Sequence, residues 1–332
     1  MLIVTPHFDR LHEWVALENR FYDKLGLKYS FFKDFDETNI VKEIGLNKNI
    51  NLPMFQDIMK GIDLNNPKIP IKFPRKYQEK LIEMKRSSVV SACYWGSCVS
   101  TYRAGGKIIN GVAQVTPFTI YAHPDSGIKK PKDLANVTIG VGELSGSHFS
   151  TLTALERFLP REKIKVTTFG GPVPRFQWLL NGEIQAATLL GATDYAAEQL
   201  GMRPILGGEF KGLFFADNNA NVGDLRKFFS ALLLAQLELF RRPDRYKKYW
   251  LRGLPKSIHK KVDISKFGLG EQIIFELYTK EQYDETVRWM QSWGLTNGMP
   301  IKSYENVMLK EDVINEALFA ERVKITRTYY AK

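Results

Sequence analysis

The chain has 332 residues, 44% of them hydrophobic and 25% charged, which is the balance of an ordinary globular protein with enough length for about two domains. No run approaches the roughly 20 apolar residues that carry a helix across a bilayer, which excludes an integral membrane protein of the helical kind. Forty-seven Lys and Arg against 36 Asp and Glu give a formal charge of +11. No nucleic-acid motif accompanies that charge, and its two dense groups, 72–86 and 241–252, carry acidic residues or break the helix. The excess is read as solvation with a mild pull on anions, not as a nucleic-acid footprint.

The opening MLIVTPHFD enters a strand at once, and Pro6 interrupts it. It shows no basic region, long apolar region and small-residue cleavage site in series, so a cytoplasmic location is expected, or a periplasmic or extracellular one if a signal has been removed. His7 and Phe8 follow the strand, the position from which residues of open α/β sheets reach a ligand. His7, His12 and Glu13 match no metal-site spacing, and no metal is expected there. Residues 36–86 are charged and rich in Pro and Asn, as in a solvated insertion or a helix and loop over a cleft mouth.

VVSACYW reads as a strand ending near Cys93. Cys93 and Cys98 are the only cysteines, and with no other ligands nearby they do not make a zinc site. A buried free thiol is the plain reading of Cys93, and a pocket nucleophile the alternative. AQVTPFTIYAH (113–123) reads as a further strand, with Thr116, Phe118 and Thr119 along it.

The next stretch is the most informative. VTIGVG (137–142) is a short apolar run without strict alternation, as in a strand buried on both faces of a parallel sheet. Ser145, Gly146, Ser147 and His148 stand where that strand hands over to a helix. Such a turn offers uncapped amides and a helix dipole to a negative group, unless Ser145 or Ser147 caps the helix. The helix places Phe149, Leu152, Leu155, Phe158 and Leu159 on one apolar face. Gly146 permits close backbone approach, and Gly170 and Gly171 repeat the arrangement at the next strand end. Arg175 then follows as a bidentate partner for a carboxylate or sulfonate. GLFFAD (212–217) reads as a returning strand, and a strongly apolar helix over 223–240 is stopped by Pro243. The phosphate-loop, dinucleotide, zinc-protease and nucleophile-elbow motifs are absent, and no cofactor is expected.

PKDLANVTIGV (131–141), LLNGEIQAATLLGATDYAAEQLG (179–201), ALENRFYDKLGLKYSFF (16–32) and KEQYDETVRWMQSWGLTNGMPIKSYENVM (280–308) occur in an order that resembles the type 2 periplasmic-binding-protein superfamily. The resembling branch is that of nitrate, sulfonate and taurine receptors and the pyrimidine synthases of thiamine biosynthesis. The resemblance implies an α/β fold of two lobes, each with its own sheet, joined by a two-strand hinge. Lobe 1 would comprise residues 1–115 and 213–332, and lobe 2 residues 116–212. It further implies that Tyr94, Trp95, Gly96 and Ser97 form a loop facing the cleft, with Gly96 and Ser97 in a tight turn, that Thr116 and Phe118 line the floor, and that Thr193 and Asp194 join Ser145–His148, Gly171 and Arg175 from lobe 2. The implied function is binding of a small anionic organic solute such as a carboxylate or sulfonate, with the membrane components of an ABC importer as a possible partner. The alternative is an enzyme on the same fold, with decarboxylase, desulfinase or thiamine-pyrimidine chemistry, using Cys93 or His148. The C-x4-C pair does not reproduce the cysteine-rich motif of the thiamine branch, and RAGG (103–106), although similar to the desulfinase R-x-G-G, is placed as a turn into the crossover strand.

Overall fold

A computed structural model of the chain describes residues 2–4, 9–31, 88–142, 144–169, 171–296, 299 and 301–314. His7, Phe8, Gly170 and the whole 36–86 segment lie outside the described residues. Two long strands organise the rest. Strand β4 (Lys107–Ala122) and strand β8 (Arg203–Ala216) pair antiparallel from Lys107↔Ala216 to Ala122↔Arg203, with register shifts between Ile108 and Ala113 and between Ile120 and Tyr121. Both begin well before the sequence suggests, β4 six residues before Ala113 and β8 nine before Gly212.

Other strands attach to this ribbon at different heights. Beside β8, β3 (Val89–Cys93) covers Gly212–Ala216. Beside β4, β9 (Gln272–Ile274) covers Ala113–Val115 and β7 (Ala186–Leu190) covers Phe118–Ala122, so the two lie end to end. Strand β5 (Thr138–Val141) is parallel to both β7 and β6 (Lys165–Thr168), as its unalternating apolar run requires. Hydrogen bonding through β4 and β8 makes these seven strands one sheet, and β1 (Leu2–Val4) and β2 (Tyr29–Phe31) form a separate parallel pair.

Alternate residues of the sheet feed two apolar clusters. Phe214 and Ala187 join one, and their neighbours Phe215 and Ala186 the other, so the clusters lie on opposite faces. Helices α1 (Leu11–Glu18) and α2 (Phe21–Lys24) and a long helix (Val222–Arg241) supply Val15, Phe21, Phe228 and Phe229 to the first. That long helix spans almost the range its apolar sequence suggests and ends before Pro243. The second cluster takes Cys98 and Val99 from α3 (Tyr94–Ala104), Phe149, Leu152 and Leu155 from α4 (Gly146–Leu155), and Tyr283 and Met290 from the helix Lys280–Ser292. Leu159 is buried with them, but Phe158 lies beyond the end of α4 and is 40% exposed, so it is not part of the expected apolar face.

A buried ion pair pins the ribbon to α1. Arg10 Nε donates to Glu271 at 2.6 Å and its Nη1 reaches Glu13 at 3.4 Å. The other Glu271 oxygen accepts from Gln114 Nε2 at 3.1 Å and Thr116 Oγ1 at 2.7 Å, both on β4. Removing one partner of a buried pair leaves an uncompensated charge, which costs about 3–5 kcal/mol. Arg10→Met is expected to lower stability by that order in urea denaturation, with Glu271→Gln milder because the amide oxygen still accepts. A loss under 1 kcal/mol for Arg10→Met contradicts this.

Candidate ligand-binding site

Strand β3 passes into α3 without a loop. Cys93 is the residue before the helix, and its Sγ accepts the Gly96 N–H at 3.2 Å, the work a serine usually does. Ser97 Oγ donates back to Ala92 O at 3.1 Å. Gly96 and Ser97 are therefore helical, not the tight turn expected, and Gly96 lacks a Cβ because the Cys93 sulfur would lie 3.1 Å from it. Burial pushes the Cys93 thiol up to about 12 and does the same to Cys98, and both are free. A thiol so placed is protonated at neutral pH, which removes the thiolate that a nucleophile needs. Gly105, at φ 74°, caps α3; of RAGG, Arg103 and Ala104 are the end of the helix, and only Gly105 and Gly106 form the turn into β4.

The turn between β5 and α4 closes on itself. Ser145 Oγ donates to Gly142 O at 2.7 Å, so the Ser147 hydroxyl supplies the proton of the 2.9 Å bond between the two serines. Ser147 Oγ also accepts the Gly142 N–H at 2.9 Å. Neither hydroxyl caps the helix, contrary to the capping alternative: among the described residues no side chain caps the first amides of α4. Those amides, with the helix dipole behind them, are available to a negative group. The absent side chain of Gly146 serves packing as well, since a Cβ there would run into the ring of Phe210. Leu144 sits at φ 47°, a left-handed conformation that a non-glycine residue holds only where its surroundings enforce it.

His148 Nδ1 accepts the Leu144 N–H at 3.2 Å, which fixes the proton of the neutral ring on Nε2. Burial lowers its pKa to about 4, so the ring is a neutral donor and not a titrating acid and base near pH 7. It stacks on Phe149, whose other neighbours are Trp95 at 5.5 Å and Trp289 at 6.3 Å. These rings, with Leu144 O lying 3.9 Å from the Cβ position of Gly96, bring the start of α3 and the start of α4 together. Tyr94 packs on Tyr278 at 4.5 Å. Phe118 packs on Phe210 at 6.2 Å, and so joins the ribbon to the same place.

The other candidates are each held by partners of their own. Thr116 is committed to Glu271. Thr193 Oγ1 donates to Leu190 O at 2.8 Å in the first turn of α6 (Gly191–Gln199). Asp194 is bonded to Tyr121 and Thr119, and burial raises its pKa to about 6. Gly171 precedes α5 (Pro172–Leu180), another helix without a side-chain cap. Arg175 is 1% exposed and so does not sit on an exposed first turn; its Nε donates to Thr188 O at 3.2 Å, and the Thr188 hydroxyl bonds Thr151 on α4. The sequence reading missed Asp9, whose carboxylate lies 2.5 Å from the Cβ position of Gly191 against the start of α6, and Arg10, Phe210 and Glu271. Only the small residue at Gly146 hinted at Phe210. No local spacing announces the Arg10–Glu271 pair.

Strand order, ribbon and helix starts together define a periplasmic-binding-protein fold. Among solved structures the chain is similar to the alkanesulfonate-binding protein SsuA of Xanthomonas axonopodis pv. citri bound to MOPS, with 12% identity and a TM-score of 0.59 over 89% of this chain and 93% of that one. It is similar to the periplasmic aliphatic sulphonate binding protein SsuA of Escherichia coli, with 13% identity and a TM-score of 0.52 over 73% and 82%. A Candida albicans gene product with the generic periplasmic binding protein fold aligns at 11% identity and a TM-score of 0.51 over 96% and 92%. No protein-family model and no curated protein sequence matches the chain. Among the described residues no helix is long and apolar enough to cross a membrane.

The two perturbed groups act on stability with opposite signs. His148 titrates lower in the folded chain, so the unfolded chain takes up a proton first as pH falls, and stability declines from about pH 6.5 toward 4. Asp194 titrates higher when folded, so stability is gained as pH falls from above 6 toward 4, and its buried charge is a cost at higher pH. Asp194→Asn keeps the acceptor for Tyr121 and removes that charge. It is expected to be more stable than the parent at pH 8 by roughly 1–3 kcal/mol and no more stable near pH 4 in urea denaturation. A variant less stable at pH 8 refutes the assignment.

Proposed function

We propose that the chain is a solute-binding protein that closes around one small organic anion, a sulfonate or carboxylate, seated on the start of α4. Residues 1–115 with 213–332 form one moving body and 116–212 the other, with β4 and β8 flexing between them. The observation that carries this reading is the uncapped N-terminus of α4 set opposite the start of α3. Amides of Gly146 to His148 and the Nε2–H of His148 supply donors, Trp95, backed by the buried Phe149, supplies apolar surface, and a neutral imidazole keeps the donor in place across ordinary pH. The Xanthomonas and Escherichia coli structures are sulfonate-binding proteins, which puts sulfonates first among the ligands to try. Delivery to the membrane components of an importer is the corresponding role. The enzyme alternative draws no support from a thiol near 12 and an imidazole near 4.

The test is a thermal-shift screen against alkyl and aryl sulfonates, carboxylates and neutral analogues, with mass spectrometry of each hit. A binder of the folded state raises the melting temperature with concentration. At least one anion is expected to do so and to be recovered intact, and His148→Ala is expected to weaken it more than tenfold. Hits confined to neutral or cationic compounds, or an unchanged affinity in His148→Ala, sink the anion site, and a consumed hit restores the enzyme reading.

A further inference from the structure

The denser part of the chain's positive charge is displayed on one stretch of its surface. Residues 240–266 carry ten lysines and arginines against two aspartates, eight of the chain's formal +11. Nine of those ten cations are exposed. The segment follows the long helix as a chain of short helical turns, Pro243–Tyr246, Lys247–Gly253, Lys256–Ile258 and Ile264–Lys266. It folds back on itself: Lys247 Nζ donates to Ser265 O, which sets residues 263–266 against 244–248.

Nearby acids do not balance the charge. Glu18 is shared by Arg245 at 3.1 Å and Lys248 at 2.9 Å, so one carboxylate serves two cations. Arg252 has no carboxylate among the described residues and lies over the Trp14 ring at 4.3 Å, and Lys256, Lys260 and Lys261 make no ion pair among the described residues. At the head of the patch Phe240 is 51% exposed, beside the exposed Arg241 and Arg242.

We infer that this basic face docks on a lipid bilayer bearing anionic headgroups. Cations displayed on a string of short turns, with an exposed aromatic among arginines, fit a surface that is broad, negative and apolar just beneath its headgroups. A duplex would require an element shaped to enter a groove, and 240–266 presents short turns with no helix or ribbon projecting from them. The attraction acts within a Debye length, so it is reversible and salt-sensitive, and holds the protein at a membrane without inserting it.

The test is flotation of the full chain with phosphatidylcholine vesicles, with and without about one third phosphatidylglycerol. At low salt the anionic vesicles are expected to retain at least tenfold more protein, and that excess is expected to vanish by about 0.5 M salt. Lys256→Glu/Lys260→Glu/Lys261→Glu is expected to lower the partitioning at least tenfold with an unchanged melting temperature, and Phe240→Ser to lower it further. Equal retention on both vesicles, a triple variant that floats like the parent, or a DNA duplex that strips the protein from vesicles at equal phosphate overturns the inference. None of these readouts depends on the solute, so failure here leaves the proposed function standing.

Discussion

Nearly everything in this chain hangs on the pairing of β4 with β8. Of the other strands in the large sheet, β3, β7 and β9 bond directly to this ribbon, and β5 and β6 reach it through β7. The pairing is antiparallel and spans almost the full length of both strands. Glycines on β8 make the ribbon specific. A Cβ at Gly212 would lie 2.9 Å from Gln114 Cγ, and one at Gly208 would lie 3.0 Å from the Phe118 ring. Their absence lets side chains of β4 cross the ribbon, which is the use a strand glycine commonly has. Gln114 thereby reaches Glu271, and Phe118 reaches Phe210 and the α4 turn.

Glu271 is the second constraint, because a buried carboxylate must be paired and fully hydrogen-bonded or it destabilises the fold. Its partners come from α1 and the middle of β4, regions that sequence separates by more than a hundred residues. The same neighbourhood explains His12, which is wholly buried and driven down to about 3 by desolvation and by Arg10 beside it. One residue before that arginine, Asp9 sets a carboxylate against the start of α6. A negative group at that helix start is favoured by the dipole. The start of α6 thus already has an anion from the chain, and the start of α4 has no side-chain cap among the described residues.

What could be read from the sequence follows from range. The succession β5, α4, β6, α5, β7, α6 is legible because each step is local: an apolar run, a small-residue turn, a helical spacing. The strand-to-helix passage at Cys93 is not, because the cap is a thiol and falls outside the hydroxyl and carboxyl residues that mark helix starts. The first half of β8, Arg203–Phe210, goes unread in the sequence because Gly207, Gly208 and Glu209 carry little strand propensity, and the tertiary pairing with β4 overrides it. Whether Arg175, in a first helical turn, points out or in depends on what the next strand offers. Here that is the Thr188 carbonyl. Glu271 is 261 residues from Arg10, and no periodicity reaches that far.

The contacts that would part in the proposed motion can also be named. Glu156 lies just past α4 and takes indole N–H bonds from Trp289 and Trp293, each at 2.9 Å, and a 2.6 Å ion pair from Arg161. Arg161 in turn lies over the Trp293 ring at 4.8 Å and bonds Ser292. These groups join the helix Lys280–Ser292 to the segment that begins at the turn between β5 and α4. Trp95 continues the contact through Trp289 to Phe149, directly behind His148. Opening would expose Glu156 and two indoles to water, which satisfies all three at little net cost, because exchanging a protein hydrogen bond for a water one changes free energy by only about 1 kcal/mol each. The aromatic surface would lose more. A ligand of the proposed kind, bound against Trp95 and the α4 turn, would then need to supply only a modest bias to hold the two parts together.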